Sequence, residues 1–346
     1  MFFNASRRDR ITDQLIGDHR LMAIRVDQFY EPCYWAIDML GLFPSWKRFW
    51  IYQRERFPVV AHGVLVAAYS TSVVAYVSTA LGLDAFPWLA AGVAFLLCFF
   101  SFLQLRIADE FKDYETDLRF RPERPVPRGL VSLRELLVVG IASGLLQLVA
   151  SLSLDVRILV PLFIAWAYLC LMTAEFFIPT WLEAHPAPYL LSHLVILPLI
   201  AWLAGAGVWL TVGKPMPDVG LFLAFCYVSG AILELGRKIK SPEEERLGVA
   251  MYSSVWGVSR ASLVWLLALG ASLVLGTLAI HSTGMRLMAA CLLGSLMLVA
   301  ICVARVFASR PTRRGAKWIE NLSAVWILVS HLVVGCIPFW LATPEV

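Results

Sequence analysis

Apolar residues in this chain come in long unbroken runs rather than in the narrow stripe of a soluble amphipathic helix. Nine stretches, at about 58–81, 86–107, 132–153, 158–178, 189–210, 219–236, 260–280, 287–307 and 320–341, are apolar nearly all round. A helix that crosses a bilayer needs roughly 20 such residues. Inside hydrocarbon every backbone N–H and C=O must be paired within its own segment, so each run is predicted to be helical. The sixth is the shortest, because it meets charged sequence from Glu234 onward. The expected fold is therefore all-α: a polytopic membrane protein with nine transmembrane helices over residues 58–341. Residues 1–57 form a separate N-terminal region. Its segment EPCYWAIDMLGLFPSWKRFW mixes aromatics with Lys and Arg, and predicts a helix lying at the membrane surface.

Composition narrows the choice further. Of 346 residues, 59% are hydrophobic and 16% charged, against about 45–50% and about 25% in soluble globular proteins. A soluble enzyme and a disordered chain are both excluded. The net charge of +4 is too small to suggest nucleic-acid binding. The seven cysteines form no CxxC pair and mostly sit in apolar runs, where they read as small buried hydrophobes. No apolar signal-peptide core is visible in MFFNASRRDRITDQ.

Charge placement sets an expected orientation. With the N-terminus in the cytosol, the cytosolic segments hold 26 of the 29 Lys and Arg residues, leaving Arg157, Lys214 and Arg286 opposite. Two long charged loops, after spans two and six, then share the cytosolic face.

The first of these loops carries candidate chemistry. Asp109, Asp113 and Asp117 recur every four residues, so a helix lines them on one face, about 6 Å apart along the axis. Glu110 and Glu115 flank them. Such carboxylates suit Mg²⁺, which takes one or two of them together with phosphate oxygens and waters. No His or Cys joins the group, which argues against zinc. Lys112, Arg119, Arg121, Arg124 and Arg128 follow, and guanidinium forks match phosphate. On spacing alone two readings stand: a diphosphate–Mg²⁺ site, or a positive-inside loop with incidental acids.

At this point the chain resembles the UbiA superfamily of intramembrane prenyltransferases. That family's first signature, N-D-x-x-D-x-x-x-D, closes the second of nine helices. Here it reads Asp109-Glu110-Phe111-Lys112-Asp113-Tyr114-Glu115-Thr116-Asp117, with Asp for Asn and Glu for Asp. The following Arg121-Pro122-Glu123-Arg124-Pro125-Val126-Pro127-Arg128-Gly129 is also family-like. The family's second signature, of DxxxD type, falls at the end of span six. In this chain Glu234 stands for its first acid and Lys238 occupies the place of its second. A cation there cannot hold Mg²⁺ but can hold diphosphate, beside Arg237. This departure is closer to the UbiA-type terpene cyclases than to quinone-pathway enzymes.

The resemblance implies a helical bundle around a central, lipid-open cavity capped by the two cytosolic loops. It implies Mg²⁺ held by Asp109, Glu110, Asp113, Asp117 and Glu234. Diphosphate would be bound by Lys112, Arg121, Arg124, Arg128, Arg237 and Lys238. The expected substrate is an isoprenyl diphosphate, farnesyl or geranylgeranyl, ionised in the membrane to an allylic cation that aromatic faces steady. Cyclisation to a terpene is the favoured fate; transfer to an aromatic or lipid acceptor is the alternative. Catalytic roles are expected for Asp109, Asp113, Asp117 and Glu234. Glu175, near the end of span four, is a further candidate: it either accepts a proton or faces the cytosolic interface. His62 and His193 read as structural. Intramembrane aromatics such as Phe99, Phe102, Tyr168 and Trp166 read individually as packing.

Two other classes fit less well. A transporter needs ionisable groups along a midplane path, and these spans have almost none. A CDP-alcohol phosphotransferase needs an acidic motif containing Asp-Gly, and that dipeptide is missing from the chain.

Overall fold

A computed structural model describes residues 45–245 and 251–341. The chain divides into two units, residues 1–54 and 55–346. Of the first unit only the start of helix α1 (Ser45–Arg56) is described. The expected surface helix falls mostly on residues 1–44, outside the described residues.

The second unit is helical throughout its described residues. The first three spans are α2 (Val59–Ala80), α3 (Trp88–Lys112, continued by the short α4, Tyr114–Phe120) and α5 (Leu133–Leu152). A 3-10 turn (Val156–Ile158) opens the fourth, α6 (Leu159–Thr173), which a second 3-10 turn (Glu175–Phe177) and α7 (Pro179–Ala184) follow. The fifth span is α8 (Pro186–Leu194) with α9 (Ile196–Thr211), and the sixth is α10 (Gly220–Lys238). The short α11 (Tyr252–Trp256) leads into α12 (Val258–Ala279), which precedes α13 (Thr283–Ser309) and α14 (Arg313–His331). A π-helical turn (Leu332–Cys336) and α15 (Ile337–Leu341) complete the ninth span. Nine segments of the described residues are long and apolar enough to cross a membrane.

The predicted spans match these segments to within a few residues except at their polar ends. Span two continues to Lys112 because Asp109, Glu110 and Lys112 still satisfy helical geometry beyond the apolar stretch. Span nine begins at Arg313, where Thr312 caps it by accepting from the Gly315 N–H. Span three opens on a capping box. Ser132 Oγ accepts from the Glu135 N–H, and the Glu135 carboxylate accepts from the Ser132 N–H.

The break in span five has a cause in the sequence. Pro198 has no N–H to offer the Leu194 carbonyl, so the helix is interrupted at Val195. Carbonyls around the break find partners elsewhere. Tyr69 donates to Leu197 O (2.7 Å), Tyr168 to Ser192 O (2.6 Å) and Tyr227 to Leu191 O (2.8 Å). Tyrosines from α2, α6 and α10 therefore tie the kinked span to its neighbours.

Several other buried polar groups are paired across helices. The Gln147 amide donates to Leu97 O and Ser101 Oγ and accepts from Trp166 Nε1, joining α5, α3 and α6. Trp265 Nε1 donates to Ser323 Oγ, and Trp326 Nε1 to Ser272 Oγ, joining α12 and α14. Cys98, Cys226 and Cys336 are buried as expected, but Cys170, Cys291 and Cys302 lie on exposed faces of their helices.

At Gly335, in the π turn of the last span, the backbone meets α2 so closely that an added Cβ would stand 2.7 Å from Ser72 Cα and nearer still to its carbonyl oxygen. A backbone atom cannot swing away. Gly335→Ala is therefore expected to destabilise the protein by about 1–3 kcal/mol, visible as a lowered melting temperature in detergent. Alanine at Gly270, where nothing lies within 4 Å, is the neutral control.

Candidate active site

The acid motif lies where α3 passes into α4. Helical bonds run straight through the junction, from Asp113 N–H to Asp109 O (2.9 Å), Asp117 N–H to Asp113 O (2.8 Å) and Arg121 N–H to Asp117 O (2.9 Å). The four-residue stacking read from the sequence is thus present. What the side chains do with it differs from the expectation.

Asp117 is buried and faces arginines: Arg121 at 3.2 Å, Arg124 in a short bond and Arg56 at 4.0 Å. Glu110 is buried too, bonded to Arg56 and to Arg106 at 3.0 Å. A buried carboxylate is tolerable only when paired and hydrogen-bonded, and a guanidinium fork does both. Two of the five expected metal ligands are therefore engaged in fixing the loop. So are three of the expected diphosphate ligands, since Arg121 and Arg124 hold Asp117. Arg128 grips Glu55 with two nitrogens (3.1 and 2.9 Å) and also donates to the Glu123 carbonyl (2.7 Å).

That leaves Asp109 and Asp113. The Asp109 carboxylate is 48% exposed and only 3.5 Å from Arg106. Asp113 has no ion-pair partner among the described residues. Burial, and then the charges of Asp109 and Asp117, hold its carboxyl above the ordinary aspartate range. Negative charge here is under-compensated. Among the described residues no three His, Cys, Asp or Glu side chains converge as a ready-made metal cage. Two open carboxylates one turn apart fit Mg²⁺, which leaves most of its sphere to phosphate and water.

The opposing wall is the end of α10. Both oxygens of Glu234 are engaged, Oε2 with Arg237 (2.6 Å) and Oε1 with Lys238 (2.8 Å). Glu234, expected as a ligand, instead clamps two cations at i+3 and i+4. Lys238 also lies 5.7 Å from the ring centre of Tyr252, on α11. The Tyr252 hydroxyl is pushed above its usual range, first by burial and then by the Glu234 charge. Arg237 is 56% exposed and within electrostatic reach of Asp109 and Asp113. The two charged loops therefore meet at one end of the bundle.

Lys112 and Glu175 meet in a third cluster. Lys112 Nζ lies 2.9 Å from Glu175 Oε1 and 4.6 Å from the Tyr189 ring centre, and it donates to the Tyr189 hydroxyl. His193 stacks on Tyr189 at 4.1 Å and turns Nε2 toward Lys112 at 3.4 Å. Lys112, expected on the diphosphate, is thus bound within the protein. Glu175 lies past the end of α6, not inside the span. It opens a turn in which Glu175, Phe176 and Phe177 all have positive φ (47°, 52° and 61°). Each such residue costs roughly 1–2 kcal/mol. The Glu175 Oε2 atom is buried without a partner among the described residues.

Sequence reasoning missed Arg56, Arg106 and Tyr189. The four-residue spacing of Arg106 and Glu110 was a usable local signal. Arg56 and Tyr189 reach the site only through the fold, from 54 and 77 residues away respectively.

The profile of the UbiA prenyltransferase family matches residues 68–328. No curated protein sequence matches the chain. Among solved structures, a UbiA homologue from Aeropyrum pernix K1 is similar with a TM-score of 0.57 at 17% identity, over 79% of this chain and 97% of that one. A digeranylgeranylglyceryl phosphate synthase structure gives 0.53 at 16%, over 84% and 99%. A UbiA homologue from Archaeoglobus fulgidus, bound to GPP and Mg²⁺, gives 0.52 at 14%, over 82% and 99%. At such identities the likeness is one of fold.

The Asp113 environment has a measurable consequence. An acid whose pKa is raised on folding opposes folding once it is ionised, and that penalty fades as pH falls and the carboxyl is protonated. Asp113→Asn is expected to raise the melting temperature of metal-free protein at about pH 8, with the gain shrinking toward about pH 4. No gain at the higher pH would contradict the charge imbalance.

Proposed function

The chain belongs to the UbiA prenyltransferase family, and from that premise we propose that it ionises an isoprenyl diphosphate within the membrane and closes the cation into a cyclic terpene. The observation that carries the reading is the meeting of two unlike surfaces. Asp109 and Asp113 present open carboxylates on one side. Arg237 and Lys238 present cations, steadied by Glu234, on the other. A diphosphate with Mg²⁺ needs both. The A. fulgidus homologue bound to GPP and Mg²⁺ supports that ligand class.

Asp109 and Asp113 would hold Mg²⁺, which supplies charge neutralisation for the leaving diphosphate. Arg237 binds diphosphate oxygens, its exposed fork free to turn from Glu234. Lys238 adds charge at the place where a carboxylate would repel the leaving group. The buried pairs of Glu110 and Asp117 keep the first loop rigid, so these groups are already in place when charge develops. The prenyl chain would lie between the spans, where aromatic side chains can steady the cation. The 26-of-29 bias in Lys and Arg supports a cytosolic side for both loops and the N-terminus. Residues 1–57 then form the interfacial region preceding the catalytic domain.

A second reading is favoured by one atom. The unpartnered Glu175 Oε2 can accept a hydrogen bond from a hydroxyl, as an aromatic or lipid acceptor would require. In that case the family's transferase chemistry is retained, and Glu175 takes the acceptor's proton.

Purified protein incubated with farnesyl diphosphate and Mg²⁺, without acceptor, is expected to release diphosphate and yield a cyclic hydrocarbon or terpene alcohol by gas chromatography–mass spectrometry. Geranylgeranyl diphosphate is the second donor to assay. Release should be abolished by EDTA and fall about 100-fold or more in Asp113→Ala. Turnover only when a hydroxylated acceptor is added, and lost in Glu175→Gln, would favour the transferase. Undiminished release in Asp113→Ala would overturn the metal assignment.

A further inference from the structure

The hairpin that joins spans eight and nine carries more positive charge than its neighbours answer. Arg305, Arg310, Arg313, Arg314 and Lys317 fall within it, and the sequence holds no Asp or Glu from 246 to 319. The acids paired with the hairpin are already engaged. Glu243 meets Arg313 at 3.3 Å, and Glu320 meets Lys317 and Lys240, each at 2.9 Å. Arg305, Arg310 and Arg314 are exposed, and their side chains have neither an ion pair nor a hydrogen bond among the described residues.

These arginines stand on a fixed support. Arg310 closes α13 with its N–H on the Val306 carbonyl (3.0 Å), and Arg314 follows in the first turn of α14, which Thr312 caps. Phe307 is buried against Gly315, where an added Cβ would stand 2.8 Å from its ring, so the two helix ends are in contact. The Lys240–Glu320 and Arg313–Glu243 pairs tie the hairpin to the loop after α10. Span eight ends after an even number of crossings, as spans two and six do, so the arginines share the end of the bundle that holds both charged loops.

The helix faces that lead to these charges are apolar and turned outward. On α13, Val299 (51% exposed), Val306 (65%) and Arg310 follow at steps of seven and four residues, which places them on one face. On α14, Arg314, Trp318 (55%) and Val325 (46%) follow at steps of four and seven. Each helix thus presents a stripe that is apolar within its span and ends in an unpaired arginine, with Trp318 at the depth where indole rings collect. We infer that the α13–α14 hairpin binds an anionic phospholipid, with Arg310 and Arg314 on its phosphate and the two stripes along its acyl chains. A soluble anion would answer the charges and leave the stripes unused. A zwitterionic headgroup would bring a cation of its own to a surface already in excess of positive charge.

The purified full chain in neutral detergent is titrated with dioleoyl-phosphatidylglycerol and, separately, with dioleoyl-phosphatidylcholine. Bound lipid is counted by native mass spectrometry, and the melting temperature is followed alongside. Wild type is expected to bind the anionic lipid at least about tenfold more tightly and to melt higher with it. In Arg310→Gln/Arg314→Gln the preference should fall to within about twofold of parity. Arg134→Gln/Arg260→Gln removes two exposed arginines from the starts of α5 and α12, at the same end of the bundle, and should keep it. No preference in wild type overturns the site. So does a preference that survives loss of Arg310 and Arg314, or one that falls equally in both double variants and so reflects net charge alone. Inorganic phosphate that raises the wild-type melting temperature as far as the anionic lipid would assign the surface to a soluble anion and overturn the lipid. If the Arg310/Arg314 double variant melts well below wild type without lipid, the two exchanges are made singly. Each should then lower the preference by about threefold or more, and no fall in either overturns the site.

Discussion

A polar group that enters hydrocarbon must bring its partner with it, and this protein is arranged around that requirement. Unpaired amides and charges cost several kcal/mol where no water reaches. Most charged residues among those described are accordingly gathered at the ends of spans, and many are paired there. Inside the spans the polar groups that remain are small, and most are closed on one another. Gln147 is saturated by Leu97, Ser101 and Trp166, and three carbonyls near the Pro198 break accept from tyrosines of neighbouring spans. The same rule explains why Asp117 and Glu110, the buried acids of the motif, are ringed by arginines rather than left open.

This division of labour makes sense of a motif with more acids than a metal needs. Glu110 and Asp117 anchor the loop to Arg56, at the end of α1, and to its own arginines. Asp109 and Asp113 keep the charge that an incoming cation would neutralise. On the opposite wall Glu234 does not act alone, since it holds Arg237 and Lys238 within reach of the same space. Under the proposed function, rigidity and reactivity fall to different members of one short sequence.

Much of the fold was legible because long apolar runs admit one solution in lipid. The helical stacking of Asp109, Asp113 and Asp117 was legible for the same reason: it follows from a four-residue period and the helix. The direction of each side chain was not. Nothing local reveals that Lys112 faces Glu175 and Tyr189, or that Arg56 reaches Glu110, because those partners come from distant spans. The turn at Glu175–Phe177 was equally hidden. Three non-glycine residues with positive φ run against local preference, and only the surrounding packing holds them there.

The close seat of Gly335 on Ser72 has a bearing on how the protein is made. Next to it, His331 on the last complete helix bonds Ser72 Oγ through Nδ1 at 2.8 Å, while the Ser72 hydroxyl hydrogen is spent on Tyr69 O. The two helices that share this contact are the first and the last of the nine to emerge from the ribosome. A chain without this span would leave the Ser72 edge of α2 without the partner it has here, so the seam between the two closes only when both are present.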